Sequence, residues 1–271
     1  MIKIVLSVLR LLLTIAAASY VALAVLLLFF GDRIAFQPHP SSYRDNPAFL
    51  MLPVKNGSLL AALYLANPGA RYLIICSHGN AEDIGDDLPM LEMIHRAGFA
   101  ILAYDYEGYG LSSGQPSEKN AYADVDAAYD YAVQKLGFPP ARIIAYGRSL
   151  GGAVAIDLAS RRPVAGLIVE SSFTSGSRVL TRVRLFPFDK FRSIDKIGKF
   201  HGPVLVMHGR EDRVIPFSHG VKLFERAKQP KDFLWVDHAG HNDFPDFAGP
   251  AYVEKLQAFG KIVAQSGAVT R

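Results

Sequence analysis

The chain predicts an α/β fold: a mostly parallel sheet of eight strands, helices on both faces, and an apolar helix ahead of it. Three observations carry that expectation. Short apolar runs recur without the alternation of a half-wetted strand, as at 72–77 and 203–207. Helix-length runs stand between them; at 117–136, Val125, Ala128, Tyr129, Ala132, Val133 and Leu136 fall at i, i+3, i+4 spacing. Finally, Gly147-Arg148-Ser149-Leu150-Gly151 joins a β-like run to a helix-like one.

Taken in order, residues 11–30 hold no charge, and twenty apolar residues in a helix cross a bilayer. Lys3 and Arg10 precede them and Asp32 and Arg33 follow. That predicts a single span with a cytoplasmic N-terminus and the rest of the chain on the other side. Ala22-Leu23-Ala24 also fits a signal-peptidase site, so a cleaved signal is the competing expectation. Residues 31–47 read as an irregular connector with a docking segment at Phe36-Gln37-Pro38. Residues 50–54 and 59–65 read as a hairpin around Asn56-Gly57. Further strands are expected at 72–77, 99–104, 142–146, 164–169, 203–207 and 233–236. Helices are expected at 87–96, 117–136, 152–160, 217–227 and 251–263. In the helix at 117–136, Asp124, Asp126 and Asp130 are expected to face away from the apolar stripe. Residues 175–200 are longer than a simple connection and carry seven cationic side chains among apolar ones, which suggests a cap over the site. The division is therefore 1–34 as anchor or signal and 35–271 as one domain containing the 175–200 cap.

Composition bounds the function. Of 271 residues half are hydrophobic and a fifth charged, enough for one large core. The net charge of +4 comes without a dense basic stripe, so no nucleic-acid partner is expected. Cys76 is the sole cysteine, which excludes an intrachain disulfide and a cysteine metal cage. It reads as a buried strand residue. No His/Asp/Glu group shows metal-ligand spacing along the chain, and no metal or cofactor is expected.

Ser149 is the candidate nucleophile. A serine flanked at two residues by glycines, at a strand-to-helix turn, is lifted out of the sheet at the positive end of a helix. A hydroxyl needs a base, and the base a carboxylate. Asp212 follows the strand at 203–207 with Glu211 as rival, and His241 follows the strand at 233–236 with His238 as rival. Glu170 is an alternative acid, or a partner for Arg148. The backbone N–H groups of Asn80 and Leu150 are the candidate oxyanion donors. His78 reads as support for the loop at 77–83, and Asp105 as the residue holding the turn at 105–112. His95, His201 and His219 read as packing or surface residues.

His78-Gly79-Asn80-Ala81-Glu82, Asp105 to Gly110, Gly147 to Gly152, Glu170-Ser171-Ser172-Phe173-Thr174, His208-Gly209 with Asp212, and Gly240-His241-Asn242-Asp243 stand in one order. From about Phe36 onward the chain resembles the α/β-hydrolase superfamily. Within it the chain is similar to a branch of membrane-anchored serine hydrolases and their relatives, protein depalmitoylases among them. The resemblance implies Ser149 as nucleophile, His241 as base, Asp212 as acid, and Asn80 and Leu150 as oxyanion donors. The eukaryotic depalmitoylases carry a cysteine-rich lipidated N-terminus. This chain lacks those cysteines, so that activity does not carry over. The expected reaction is hydrolysis of a carboxylic ester or thioester, with a small or lipid-like acyl substrate. The alternatives are an amidase or small-peptide peptidase on the same residues, and an inactive membrane-anchored binding protein. Aspartate-dependent dehalogenase or epoxide hydrolase chemistry does not fit a serine at 149.

Overall fold

The computed structural model describes residues 2–181 and 189–269, with the backbone alone at 27–30, 34, 180–181 and 268–269. The helix α1 (Ile2–Ala35) leads into a sheet built from β1 (Phe49–Pro53), β2 (Leu59–Leu65), β3 (Leu73–Ser77), β4 (Ala100–Tyr104), β5 (Ile143–Arg148), β6 (Gly166–Glu170), β7 (Val204–Gly209) and β8 (Lys231–Val236). Interspersed are α2 (Ile84–Arg96), α3 (Glu118–Gln134), α4 (Leu150–Arg161), the short α5 (Gly176–Thr181) and α6 (Ser193–Lys196), then α7 (Ser218–Arg226), α8 (Phe244–Ala248) and α9 (Pro250–Val269).

The eight strands run in the order β1-β2-β4-β3-β5-β6-β7-β8. The β1/β2 and β2/β4 pairs are antiparallel and the remaining pairs parallel. The crossover of β3 and β4 puts β3 beside β5, so the chain ends after Ser77 and Arg148 emerge as neighbours. Parallel strands buried on both faces need no alternation of polarity. In β3, Leu73 and Ile75 face α3, α4 and α7, whereas Ile74 and Cys76 face α2, α8 and α9. Burial of roughly sixty apolar side chains in these two layers, at about 25 cal/mol per Å² of apolar surface, is the main stabilising term.

Three elements differ from the sequence reading. Helix α1 continues through residues 31–35, which were expected as connector. No proline interrupts it before Pro38, and its last turn is tied down by Asp32. Helix α2 begins at Ile84 rather than 87. Asp83 accepts the N–H groups of Gly85 and Asp86 while the Asp86 carboxylate accepts the Asp83 N–H, a capping box. In α3, Asp124 turns inward rather than outward. It is fully buried and accepts the Glu107 N–H at 3.0 Å. Burial pushes its carboxyl up to about 8, against that N–H and with the help of the neighbouring Glu107 charge. Asp126 and Asp130 do point to the outer side, where they pair with Arg161 and Arg162.

The 175–200 segment joins β6 to β7. Within it Phe191, Ile197 and Phe200 are buried in the same cluster as α4 and α7. Arg182, Val183, Arg184, Leu185 and Phe186 of the expected cap lie outside the described residues. The stretch Ile2–Leu26 of α1 has a mean hydropathy of 2.1 over its most apolar window, and none of that window is buried. This fits a membrane anchor, and by the same measure a signal sequence.

Candidate active site

The turn from β5 to α4 places Ser149 at φ +51°, ψ −114°, a left-handed conformation that L-residues rarely adopt. Its backbone is held from both sides. The N–H donates to Glu170 O at 2.9 Å, and its carbonyl accepts Ser172 Oγ at 2.8 Å. The flanking glycines are required by contact. A Cβ at 147 would collide with the Gly151 carbonyl, and one at 151 with the Ser77 carbonyl. Strand and helix thus meet backbone to backbone, and the serine stands at the crossing.

Three side chains from three strand ends form a hydrogen-bonded chain. His241 Nε2 lies 3.0 Å from Ser149 Oγ, and His241 Nδ1 lies 2.7 Å from Asp212 Oδ2. The second carboxylate oxygen of Asp212 accepts the N–H groups of Val214 at 2.9 Å and Ile215 at 2.7 Å. Burial pushes the Asp212 carboxyl up, but the hydrogen bonds from His208 and His241, the His241 charge and the Ile215 N–H together hold it well below the usual carboxylate range. The rivals pair with each other instead: Glu211 and His238 lie 2.8 Å apart, both exposed. Glu170 is fully buried and occupied elsewhere. Its Oε2 accepts Tyr146 and Tyr252 hydroxyls, and its Oε1 lies 3.8 Å from Arg148 Nε. Burial pushes its pKa up despite the Arg148 charge.

The loop after β3 runs beside the serine. A Cβ built on Gly79 would stand 3.5 Å from Ser149 Cβ. Asn80 follows it. Its carboxamide is committed to the loop's own fixation, accepting Gln37 N–H and Tyr109 Oη–H and donating to Ala35 O. Leu150 opens α4, so its N–H belongs to the free N-terminal donors of that helix. His78 supports the loop through Nδ1 and the Gly79 carbonyl at 2.7 Å. Asp105 accepts the Ile84 N–H at 2.9 Å and the Tyr43 hydroxyl.

Several contacts around the site escape sequence reasoning. His208 is buried, donates from Nε2 to Ile215 O at 2.8 Å and lies 3.4 Å from Asp212 Oδ2, bracing the acid loop. Its place at the end of an apolar run, four residues before Asp212, was the available signal. Glu170 was read as an alternative acid or as a partner for Arg148; Arg148 lies beside it and also joins Glu82, Asn242 Oδ1 at 2.9 Å and His241 O at 3.3 Å. Glu82 in turn accepts the Gly79 N–H. One guanidinium therefore ties the serine turn to the loops on either side. Folding also gathers His39, Asp83 and Asp86, a grouping no linear spacing betrays. Asp83 there caps α2 and holds Ser42, while Asp86 pairs with His39.

A serine hydrogen-bonded to a histidine at the head of a parallel α/β sheet defines the class: a serine hydrolase of the α/β-hydrolase fold and esterase type. Comparison with known proteins agrees. Residues 68–188 match a family model described as serine aminopeptidase, S33. The chain is 41% identical over 236 residues to alpha/beta hydrolase domain-containing protein 17B of Xenopus tropicalis, covering 86% of this chain and 81% of that protein. It is 40% identical to the human protein of that name over the same shares. The chain belongs to this family of α/β hydrolases. Among solved structures, the Pyrococcus furiosus esterase Pf2001 superposes with a TM-score of 0.68 at 19% identity, over 83% of this chain and 98% of that one. Est1E of Butyrivibrio proteoclasticus, with ferulic acid bound, gives 0.62 at 19%, over 81% and 99%. At these identities the structures speak for the fold.

Proposed function

We propose that the chain hydrolyses carboxylic esters or thioesters with an apolar acyl part, using Ser149, His241 and Asp212 as its triad. The observation that carries this reading is the unbroken chain Ser149 Oγ, His241 Nε2, His241 Nδ1, Asp212 Oδ2, with links of 3.0 and 2.7 Å. Ser149 Oγ attacks the carbonyl carbon as its proton passes to His241 Nε2. The Asp212 carboxylate, kept ionised by its donors, fixes the tautomer and offsets the imidazolium charge. The N–H groups of Leu150 and Asn80 receive the developing oxyanion. The C–O or C–S bond then breaks, and His241 returns its proton to the leaving alcohol or thiol. Water, deprotonated by His241, attacks the acyl carbon; the bond to Ser149 Oγ breaks, Oγ takes the proton back from His241, and the carboxylic acid leaves. The step needs no cofactor.

In this reading residues 1–34 anchor the chain with a cytoplasmic N-terminus, and 35–271 form the catalytic domain on the other side. The apolar anchor suits acyl substrates near a membrane surface.

Fluorophosphonate labelling tests the triad. Wild type is expected to label and Ser149→Ala not at all, and His241→Ala slowly; equal labelling of Ser149→Ala would refute the assignment. An acyl-chain series of p-nitrophenyl esters beside aminoacyl anilides separates esterase from amidase. The amidase alternative draws on the description of the matched family model. A wild type that neither labels nor turns over would favour a binding protein.

A further inference from the structure

We propose that the last turn of α1 is part of the rim of the catalytic site and holds Ser149 against the bilayer, where it takes acyl esters or thioesters resident in that same membrane. This deepens the hydrolase reading above and rests on it, with α1 kept attached.

Ile2–Leu26 is long enough to span, since 25 residues at 1.5 Å each give about 38 Å against a hydrocarbon core of about 30 Å. The apolar side chains of this stretch, Ile4, Leu12 and Val21 among them, are exposed, and none of its most apolar window is buried against the rest of the chain. Lipid is the occupant that such a surface fits. The helix then runs on to Ala35 without a break. Nine further residues carry it only about 14 Å, of which the head-group layer takes up about 5–7 Å.

What α1 meets at that height is the catalytic loop. The Ala35 carbonyl accepts Asn80 Nδ2 at 2.8 Å, and the Gln37 N–H donates to Asn80 Oδ1 at 2.9 Å and to Tyr109 Oη at 3.0 Å. Phe36 between them is buried against Tyr109 and Phe191. One turn earlier, Asp32 accepts the Glu118 N–H at 3.1 Å and Lys190 Nζ at 3.0 Å. Asn80 is the neighbour of Gly79, and Gly79 lies against Ser149. Two residues thus separate the end of the membrane helix from the serine, and no flexible linker intervenes. An acyl chain can reach Ser149 while the rest of its carrier stays in the membrane. A substrate dissolved in water gains nothing from this arrangement.

The test uses the full chain reconstituted in phosphatidylcholine vesicles, with a second version carrying an 18-residue Ala/Glu/Lys helical insert between Phe30 and Gly31. Eighteen residues are five whole turns, so the insert raises the domain by about 27 Å without rotating it. Two substrates are compared: a fluorogenic hexadecanoyl ester embedded in the vesicles, and water-soluble p-nitrophenyl butyrate. The insert is expected to lower the rate on the embedded ester by about tenfold or more, because the site no longer reaches it, and to leave butyrate hydrolysis within about twofold. Equal rates on the embedded ester with and without the insert would overturn the proposal. So would a wild type that cleaves butyrate but not the embedded ester, and the hydrolase reading would survive that result. Failure of both substrates in wild type would overturn the hydrolase reading itself, and this proposal with it.

Discussion

Replacing Arg148 by methionine removes the guanidinium that joins the serine turn to its two neighbouring loops while keeping a side chain of similar length. Two effects follow, and they are separable. First, Glu82 and Glu170 lose their shared cation, and Glu170 is fully buried. Stranding one side of a buried pair costs about 3–5 kcal/mol, a fall in Tm of about 6–20 °C for a domain of this size. Second, the His241 loop loses the bonds from Arg148 Nη2 to Asn242 Oδ1 and His241 O. A hydrogen bond from a charged donor contributes about 1.5–3 kcal/mol, so the population with the imidazole aligned on Ser149 falls by up to about a hundredfold. The expected signature is a kcat lowered far more than KM is raised, measured with p-nitrophenyl butyrate well below the reduced Tm. Glu170→Gln is the control. Its side chain touches Arg148, Tyr146 and Tyr252 but not the His241 loop, so it should lower Tm and leave kcat within about twofold. If folded Arg148→Met turns over at the wild-type kcat, Arg148 serves stability alone and its bonds to the His241 loop do not align the imidazole.

Two further outcomes are expected. Asp212→Asn should lower kcat by about 10³–10⁴-fold with little change in KM, since the amide can present an N–H where His241 Nδ1–H needs an acceptor; burst kinetics with p-nitrophenyl acetate measure it. Asp124 has a folded-state pKa raised to about 8, so the folded form keeps a proton that the unfolded chain gives up near pH 4. Its contribution is therefore full below the unfolded value and is lost as pH rises through about 8. Tm should fall more between about pH 6 and 9 in wild type than in Asp124→Asn; parallel curves would refute the assignment.

Much of this protein was legible in its order of residues. Each strand is an apolar run bounded by glycine, proline or a polar turn, and such runs announce themselves locally. Ser149, Asp212 and His241 each stand just after one of them, and a parallel sheet gathers those ends at one edge. Asp124 was misread because periodicity reports the average polarity of a face, whereas a single carboxyl can be buried if a backbone N–H on another element receives it. The start of α2 was misplaced because its cap, Asp83, also serves Ser42, forty-one residues earlier.

Local chemistry therefore determined which segments become strands and helices, and which side chains are candidates for acyl transfer. The order β4-β3-β5 decided the rest. By placing the end of β3 beside the end of β5, it brought Glu82 to Arg148 and Gly79 to Ser149, and the docking of 35–37 brought the end of α1 to Asn80. Those contacts join residues tens of positions apart, and their energy depends on distances in space that no spacing along the chain encodes.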